Sequence, residues 1–189
     1  MHQITIYLLW AIWVVSWVAA SGWSSRTKHH APWGRELLSR VFTAIGAILL
    51  FGLYAPPYFS TLGWWHVDDT LGWVMAALTA CGFAFAWWAR IHLGELWSGT
   101  IVVKDGHRVI DTGPYRIVRH PIYTGIILAT FATAVDRGTI VAVAGAAAML
   151  AGWYIRARHE ERFLRRELGA DAYDAYAKKT AMLVPFVKL

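Results

Sequence analysis

The sequence predicts an all-α integral membrane protein of five transmembrane helices, with its N-terminus outside, a polar cytoplasmic loop and a C-terminal amphipathic helix. Three observations lead there. Hydrophobic residues make up 57% of the 189-residue chain against 16% charged, more apolar material than a soluble domain of this size carries. Long uncharged runs recur along it, and the basic residues fall almost wholly on alternate connections between those runs. A single cysteine, Cys81, excludes a disulfide scaffold, and the hydrophobicity excludes a disordered tail or a collagen-like fibre. The net charge of +6 is distributed as membrane topology demands rather than as a nucleic-acid groove would, so no nucleic-acid partner is expected.

A hydrocarbon core of about 30 Å needs roughly 20 apolar residues in a helix. The first run is Ile4 to Ala20; with no Lys or Arg ahead of it, it reads as a span and not as a cleaved signal peptide. The second is Val41 to about Phe59, with Pro56-Pro57 near its end, and the third is Thr70 to Ala89. Pro121 to Val135 and Thr139 to Ile155 are the fourth and fifth, joined by the tight turn Asp136-Arg137-Gly138, which leaves space only for an antiparallel hairpin. The fourth run is short, spanning about 22 Å at 1.5 Å per residue. It must borrow from the preceding loop or sit where the protein shields the bilayer.

Of the 18 basic residues, all but Arg137 lie in 21–40, in 90–119 or from 156 onward. The positive-inside rule makes those segments cytoplasmic, an alternation that needs an odd number of spans. Ala142 to Ala151 is rich in small residues, which let helices approach closely within a membrane.

Polar residues are costly near lipid, so two clusters on the cytoplasmic side are candidates for chemistry. One is the loop Lys104 to Gly125; the other begins the tail, Arg156 to Arg162. Asp105-Gly106 and Gly113-Pro114 are turn signals, and between them Arg108 to Ile110 is expected to lie extended as a short β-like clasp. Pro121 suits a first helical turn, which puts His120 at the positive end of helix four, where carboxylates are favoured. Basic loop residues such as Arg116 and Arg119 could equally anchor lipid headgroups, with His120 merely capping the helix. In the tail, Arg156 and Glu160 are one turn apart on one helix face, a spacing that by itself yields an exposed ion pair worth about 0.3 to 0.5 kcal/mol. A site requires the two clusters to meet. Helix four begins and helix five ends on the same side, which closes a pocket between loop and tail.

Gly113-Pro114-Tyr115, Arg119-His120-Pro121-x-Tyr123-x-Gly125, a helical hairpin, Arg156 with Glu160-Glu161, Gly169 with Tyr173 and Tyr176, and a final Val184-Pro185-Phe186 together resemble the isoprenylcysteine carboxyl methyltransferase family over about residues 90 to 189. The resemblance implies an S-adenosylmethionine-dependent methyltransferase within a membrane. It places the cofactor on His107, Arg108, Val109, Ile110, Tyr115, His120, Pro121, Ile122, Tyr123 and Glu160, and the loop 90–119 is expected to form a lid over it. Arg156 becomes the catalytic residue that grips the acceptor carboxylate, and no metal is implied. Residues 1–89 form an N-terminal three-helix membrane region and 90–189 the catalytic region.

The acceptor implied is lipophilic, in the first instance an isoprenylcysteine-like acid. The five-helix layout looks like that of short prokaryotic relatives, for which an inner-membrane location with a cytoplasmic site and an acid, thiol or amine acceptor are all in keeping. A carboxylate nucleophile needs no general base; an amine or thiol would, with His159 or His107 the first candidates. Membrane sterol reductases share an Arg-His-Pro-Tyr-like segment and bind NADPH, but the Glu-Glu tail with Gly169, Tyr173 and Tyr176 favours the methyltransferase. Phospholipid and small-molecule N- or S-methyltransferases lie nearer. Trp64, Trp65, Trp73, Trp87, Trp88 and Trp97 are expected as interface anchors and packing.

Overall fold

The computed structural model describes residues 1–23, 27–30, 34–52, 63–104 and 109–187. Among the described residues six α-helices dominate: α1 (His2–Ala19), α2 (Gly34–Phe51), α3 (Asp69–Leu93), α4 (Pro121–Arg137), α5 (Ile140–Leu168) and α6 (Ala170–Lys179). The helical class stands, with one addition: β1 (Thr27–His30) pairs antiparallel with β2 (Val102–Lys104). Among the described residues three stretches, His2–Gly22, Asp69–Leu96 and Ile140–Leu168, are long and apolar enough to cross a membrane. Outward-facing residues such as Leu8, Ile12 and Val15 of α1 or Leu38, Val41 and Ile45 of α2 are exposed, an apolar surface suited to a membrane protein.

The other two runs differ from the sequence expectation. Helix α2 begins at Gly34 rather than Val41 and so carries Arg35, Glu36 and Arg40 in its first two turns; Pro56-Pro57 lie outside the described residues. Helix α4 has 17 residues, about 25 Å, and borrows nothing from the loop before it. It is not among the three stretches long and apolar enough to cross a membrane, and it packs between α3 and α5 with residues from Pro121 to Asp136 buried on several faces.

Local chemistry sets the boundaries. The Asp68 carboxylate accepts the Leu71 N–H at 2.7 Å at the start of α3, and the Thr139 hydroxyl accepts the Ala142 N–H at 3.1 Å at the start of α5, both N-caps. Gly138, at φ 65°, takes the left-handed conformation that ends α4, and the hairpin closes there as expected.

Two close helix pairs carry the fold. Between α3 and α4, a Cβ placed on Gly82 or on Gly125 would strike the other glycine's carbonyl oxygen, so backbone meets backbone. Helices α2 and α5 approach in the same way at Gly46 and Gly145, beside buried Ala142 and Ala146, which is the packing expected of the Ala142–Ala151 stretch.

Helix α1 lies on α3, where the Trp10 indole meets the Phe83 ring edge-on at 4.8 Å and donates to the Thr133 hydroxyl at 2.9 Å. At one end of the bundle His2 Nδ1 is 2.6 Å from an Asp136 carboxylate oxygen. At the other, fully buried Arg90 donates to the carbonyls of Ala20, Trp23 and Gly94 at 2.7 to 3.0 Å and lies 4.3 Å over the Trp97 ring. Carbonyls at helix C-termini carry partial negative charge, which favours a cation there. Arg90 thereby ties the ends of α1 and α3 together beside the cavity described next.

Candidate active site

The start of α4 and the second half of α5 converge at the Arg90 end. His120, buried, precedes Pro121, and its imidazole makes no hydrogen bond to the helix N-terminus. The capping role considered for it therefore does not hold. The ring instead lies flat against Tyr123, 5.4 Å between centroids and 4° between planes. Its Nε2 is 3.3 Å from Glu161 Oε1 and its Nδ1 is 3.8 Å from Glu160 Oε2. Loop and tail meet on one imidazole.

Tyr123 joins the other two residues. Its hydroxyl donates to Glu160 Oε2 at 2.7 Å and accepts from Arg156 Nε at 2.9 Å. The ion pair expected from the Arg156/Glu160 spacing is thus not a direct contact; the phenol bridges it, since a hydroxyl donates and accepts at once. The remaining Arg156 nitrogens reach Glu36 Oε2 at 3.3 Å and the Gly99 carbonyl at 2.8 Å. Held on three sides, the guanidinium is 12% exposed and has a fixed plane.

These groups border a cavity of about 370 Å³, within the usual range for small-molecule sites. Tyr115, His120, Tyr123, Arg156 and Glu160 give it polar walls, while Trp13, Trp17, Leu93, Trp97, Ile126 and Trp153 give it apolar ones. Val109, Ile110, Pro121 and Ile122 border it too. Every sequence-predicted site residue that is described therefore borders this one cavity; His107 and Arg108 lie outside the described residues. The extended clasp falls elsewhere than expected: the strand is Val102–Lys104, whereas Val109 and Ile110 are irregular. Its partner, Thr27–His30, comes from a connection some seventy residues away, beyond the reach of local turn signals.

The C-terminal segment forms the base. Arg119, expected among possible headgroup anchors, turns inward instead and is 8% exposed. Its Nε donates to Glu161 Oε1 at 2.6 Å and its Nη1 to the carbonyls of Ala177 and Thr180. The backbone N–H groups of Arg119 and His120 donate to the carbonyls of Ala181 and Met182 at 2.8 and 3.1 Å, and the Tyr176 phenol donates to the Tyr115 carbonyl at 2.7 Å. Burial pushes the phenols of Tyr115, Tyr173 and Tyr176 above their ordinary pKa, so all three keep their protons at neutral pH and remain hydrogen-bond donors. Arg116 is exposed.

Sequence reasoning gave no role to Glu36, Glu161, Trp13, Trp17 or Trp153. It took Trp97 for an interface or packing residue, yet Trp97 borders the cavity with its ring under Arg90. Glu36 left a signal: it is the only acidic residue among the first 67, and a lone carboxylate in so apolar a stretch calls for buried cationic partners.

Comparison with known proteins bears on the segment that carries this geometry. The isoprenylcysteine carboxyl methyltransferase (ICMT) family matches residues 74–166. A probable protein-S-isoprenylcysteine O-methyltransferase of Oryza sativa subsp. indica is 29% identical over 113 residues, 59% of this chain and 53% of its own. The counterpart from subsp. japonica gives the same figures. Protein-S-isoprenylcysteine O-methyltransferase B of Arabidopsis thaliana is 29% identical over 122 residues, 53% of this chain and 61% of its own. The chain spans a little over half the length of these curated relatives.

Proposed function

Because residues 74–166 belong to the isoprenylcysteine carboxyl methyltransferase family, we propose that this protein is an S-adenosylmethionine-dependent membrane methyltransferase acting on the carboxylate of a lipophilic, isoprenylcysteine-like acceptor. The observation that carries the reading is the Tyr123 hydroxyl, which links Arg156 to Glu160 beneath His120 in a single cavity.

The residues present fit the donor. It offers a carboxylate, an ammonium, ribose hydroxyls and an adenine. The amino end of α4 beside His120 suits the carboxylate, the Glu160 carboxylate suits the ammonium or the ribose hydroxyls, and Tyr115 with Ile110 and Ile122 provides a surface for the flat base. His107, Arg108, Val109 and Pro121 complete the proposed donor set, and the loop 90–119 is its lid. Bound there, S-adenosylmethionine supplies a methyl group on a cationic sulfur.

The remaining work belongs to the chain. Arg156 holds the acceptor carboxylate through two parallel N–H···O bonds, in a plane fixed by Tyr123, Glu36 and Gly99. The indole walls exclude water, which strengthens each electrostatic contact inside. No proton has to be removed from an ionised carboxylate, so positioning is the main source of rate.

In this reading each of α1 to α5 contributes one membrane span, the N-terminus is outside as the charge distribution requires, and the cavity opens to the cytoplasm. Residues 90–189 bind the donor. Residues 1–89 embed the protein and contribute Trp13, Trp17 and Arg40 to the cavity border.

Calorimetry on detergent-purified protein tests the proposal. Saturable binding of S-adenosylmethionine or its demethylated product is expected, followed by transfer of labelled methyl to a prenylcysteine acid as an alkali-labile ester. Binding of NADPH with no response to either donor compound would replace it by the reductase; labelled product stable to alkali would replace it by N- or S-methylation.

A further inference from the structure

Glu161 follows Glu160 on α5 but holds different partners. Among the described residues His120 and Glu160 border the cavity and Glu161 does not. Its side chain is 13% exposed, and one oxygen, Oε1, meets both Arg119 Nε at 2.6 Å and His120 Nε2 at 3.3 Å. An ionised carboxylate only accepts, so the imidazole donates from Nε2. Nδ1 is then the ring nitrogen turned to the Glu160 side, 3.8 Å from its Oε2. The ring plane is set by Tyr123, against which it lies flat.

Arg119 is engaged on its other side. Its Nη1 donates to the carbonyls of Ala177 and Thr180. The same tail takes the N–H groups of Arg119 and His120 at Ala181 and Met182, and the Thr124 hydroxyl at Leu183. A run of hydrogen bonds therefore leads from residues 177–183 through Arg119 and Glu161 to the His120 imidazole. A buried ion pair adds little stability over apolar packing of the same volume. What this one does add is orientation, because the bond made by one imidazole nitrogen decides what the other can do.

We propose that Glu161 is a positioning residue of the donor site: it fixes His120 with Nδ1 towards the donor, and Arg119 keeps Glu161 in register with the C-terminal segment. This rests on the reading above, in which His120 contacts the donor. It also brings residues 177–183, which lie beyond the segment matched by the family, into donor recognition from behind the cavity wall.

The test is a double-mutant cycle on the full chain in detergent, read as S-adenosylmethionine affinity by calorimetry. E161Q keeps the side-chain shape but loses the charge, and is expected to weaken donor binding about tenfold, with acceptor KM at saturating donor within about twofold. On an H120A background the same change should alter donor affinity by less than about twofold, since a residue acting through His120 then has nothing left to orient. R119Q should repeat the pattern with a smaller loss. Equal losses from E161Q with and without His120 would show a merely structural carboxylate and overturn the proposal, as would unchanged donor affinity in E161Q itself. Should E161Q not fold, R119Q is read in the same cycle, and additive losses there overturn the proposal. In each of these cases H120A alone still weakens the donor and the reading above stands. If H120A leaves donor affinity unchanged, the donor role of His120 falls and the proposal with it.

Discussion

The Tyr123 hydroxyl gives its proton to Glu160 at 2.7 Å, and the same oxygen takes an N–H from Arg156 at 2.9 Å. One phenol therefore couples the residue proposed to hold the donor to the residue proposed to hold the acceptor. Removing it leaves two charged groups without their shared partner, at about 1 to 3 kcal/mol. Tyr123→Phe is expected to weaken both substrates by about tenfold each, measured as donor Kd by calorimetry and acceptor KM by turnover. A change confined to one substrate would show that the phenol does not couple them.

The single variants should separate the two halves of the site. Charge-assisted hydrogen bonds contribute about 1.5 to 3 kcal/mol, so Glu160→Ala and His120→Ala are each expected to weaken donor binding by about 10- to 100-fold. Arg156→Ala should nearly abolish turnover while donor Kd stays within about threefold. Equal loss of donor affinity in all three would contradict this division.

The Gly82–Gly125 contact should tolerate no bulk. A side chain at either position meets the opposing backbone, and overpacking of this kind costs about 1 to 3 kcal/mol. Gly125→Leu is expected to lower the thermal midpoint in detergent by several degrees, whereas Gly22→Ala, where a Cβ meets nothing within 4 Å, should leave it unchanged. Equal midpoints for both variants would refute the close approach of α3 and α4.

Alkaline pH should destabilise the tail. The phenols of Tyr115, Tyr173 and Tyr176 are raised in the fold, chiefly by burial, so the folded state keeps protons that the unfolded chain releases near pH 10. Their contribution is fully present below about pH 10 and is lost as pH rises from there towards the folded values. Tyrosinate absorbance should therefore lag behind that of the denatured protein, and Tyr176→Phe should flatten the loss of stability above pH 10. Coincident titration of folded and denatured protein would remove the basis of this prediction.

Much of the site was legible because its residues are close in sequence or repeat at helical spacing. His120, Pro121 and Tyr123 share the first turn of α4, and Arg156 and Glu160 share one face of α5. A tight hairpin turn forces α4 and α5 to run antiparallel, so these two groups had to come to the same end. Arg119 and His120 were harder to read. From the loop alone a basic residue beside a span looks like a headgroup anchor and a histidine before Pro looks like a cap; only the tail at Ala177 to Met182, folded back beneath them, supplies the carbonyls that turn Arg119 inward.

What the sequence determined by itself was the apolar character, the helices with most of their boundaries, and the polar residues able to gather at one end of the α4–α5 hairpin, since each follows from local composition, spacing and charge. The tertiary structure decided the rest. That Tyr123 stands between Arg156 and Glu160, that Glu36 reaches across from α2 to hold Arg156, and that β2 pairs with a segment near the first helix all depend on helices meeting at glycine contacts. Such contacts join residues up to 120 positions apart, and a spacing of that length carries no periodicity from which the meeting could be read.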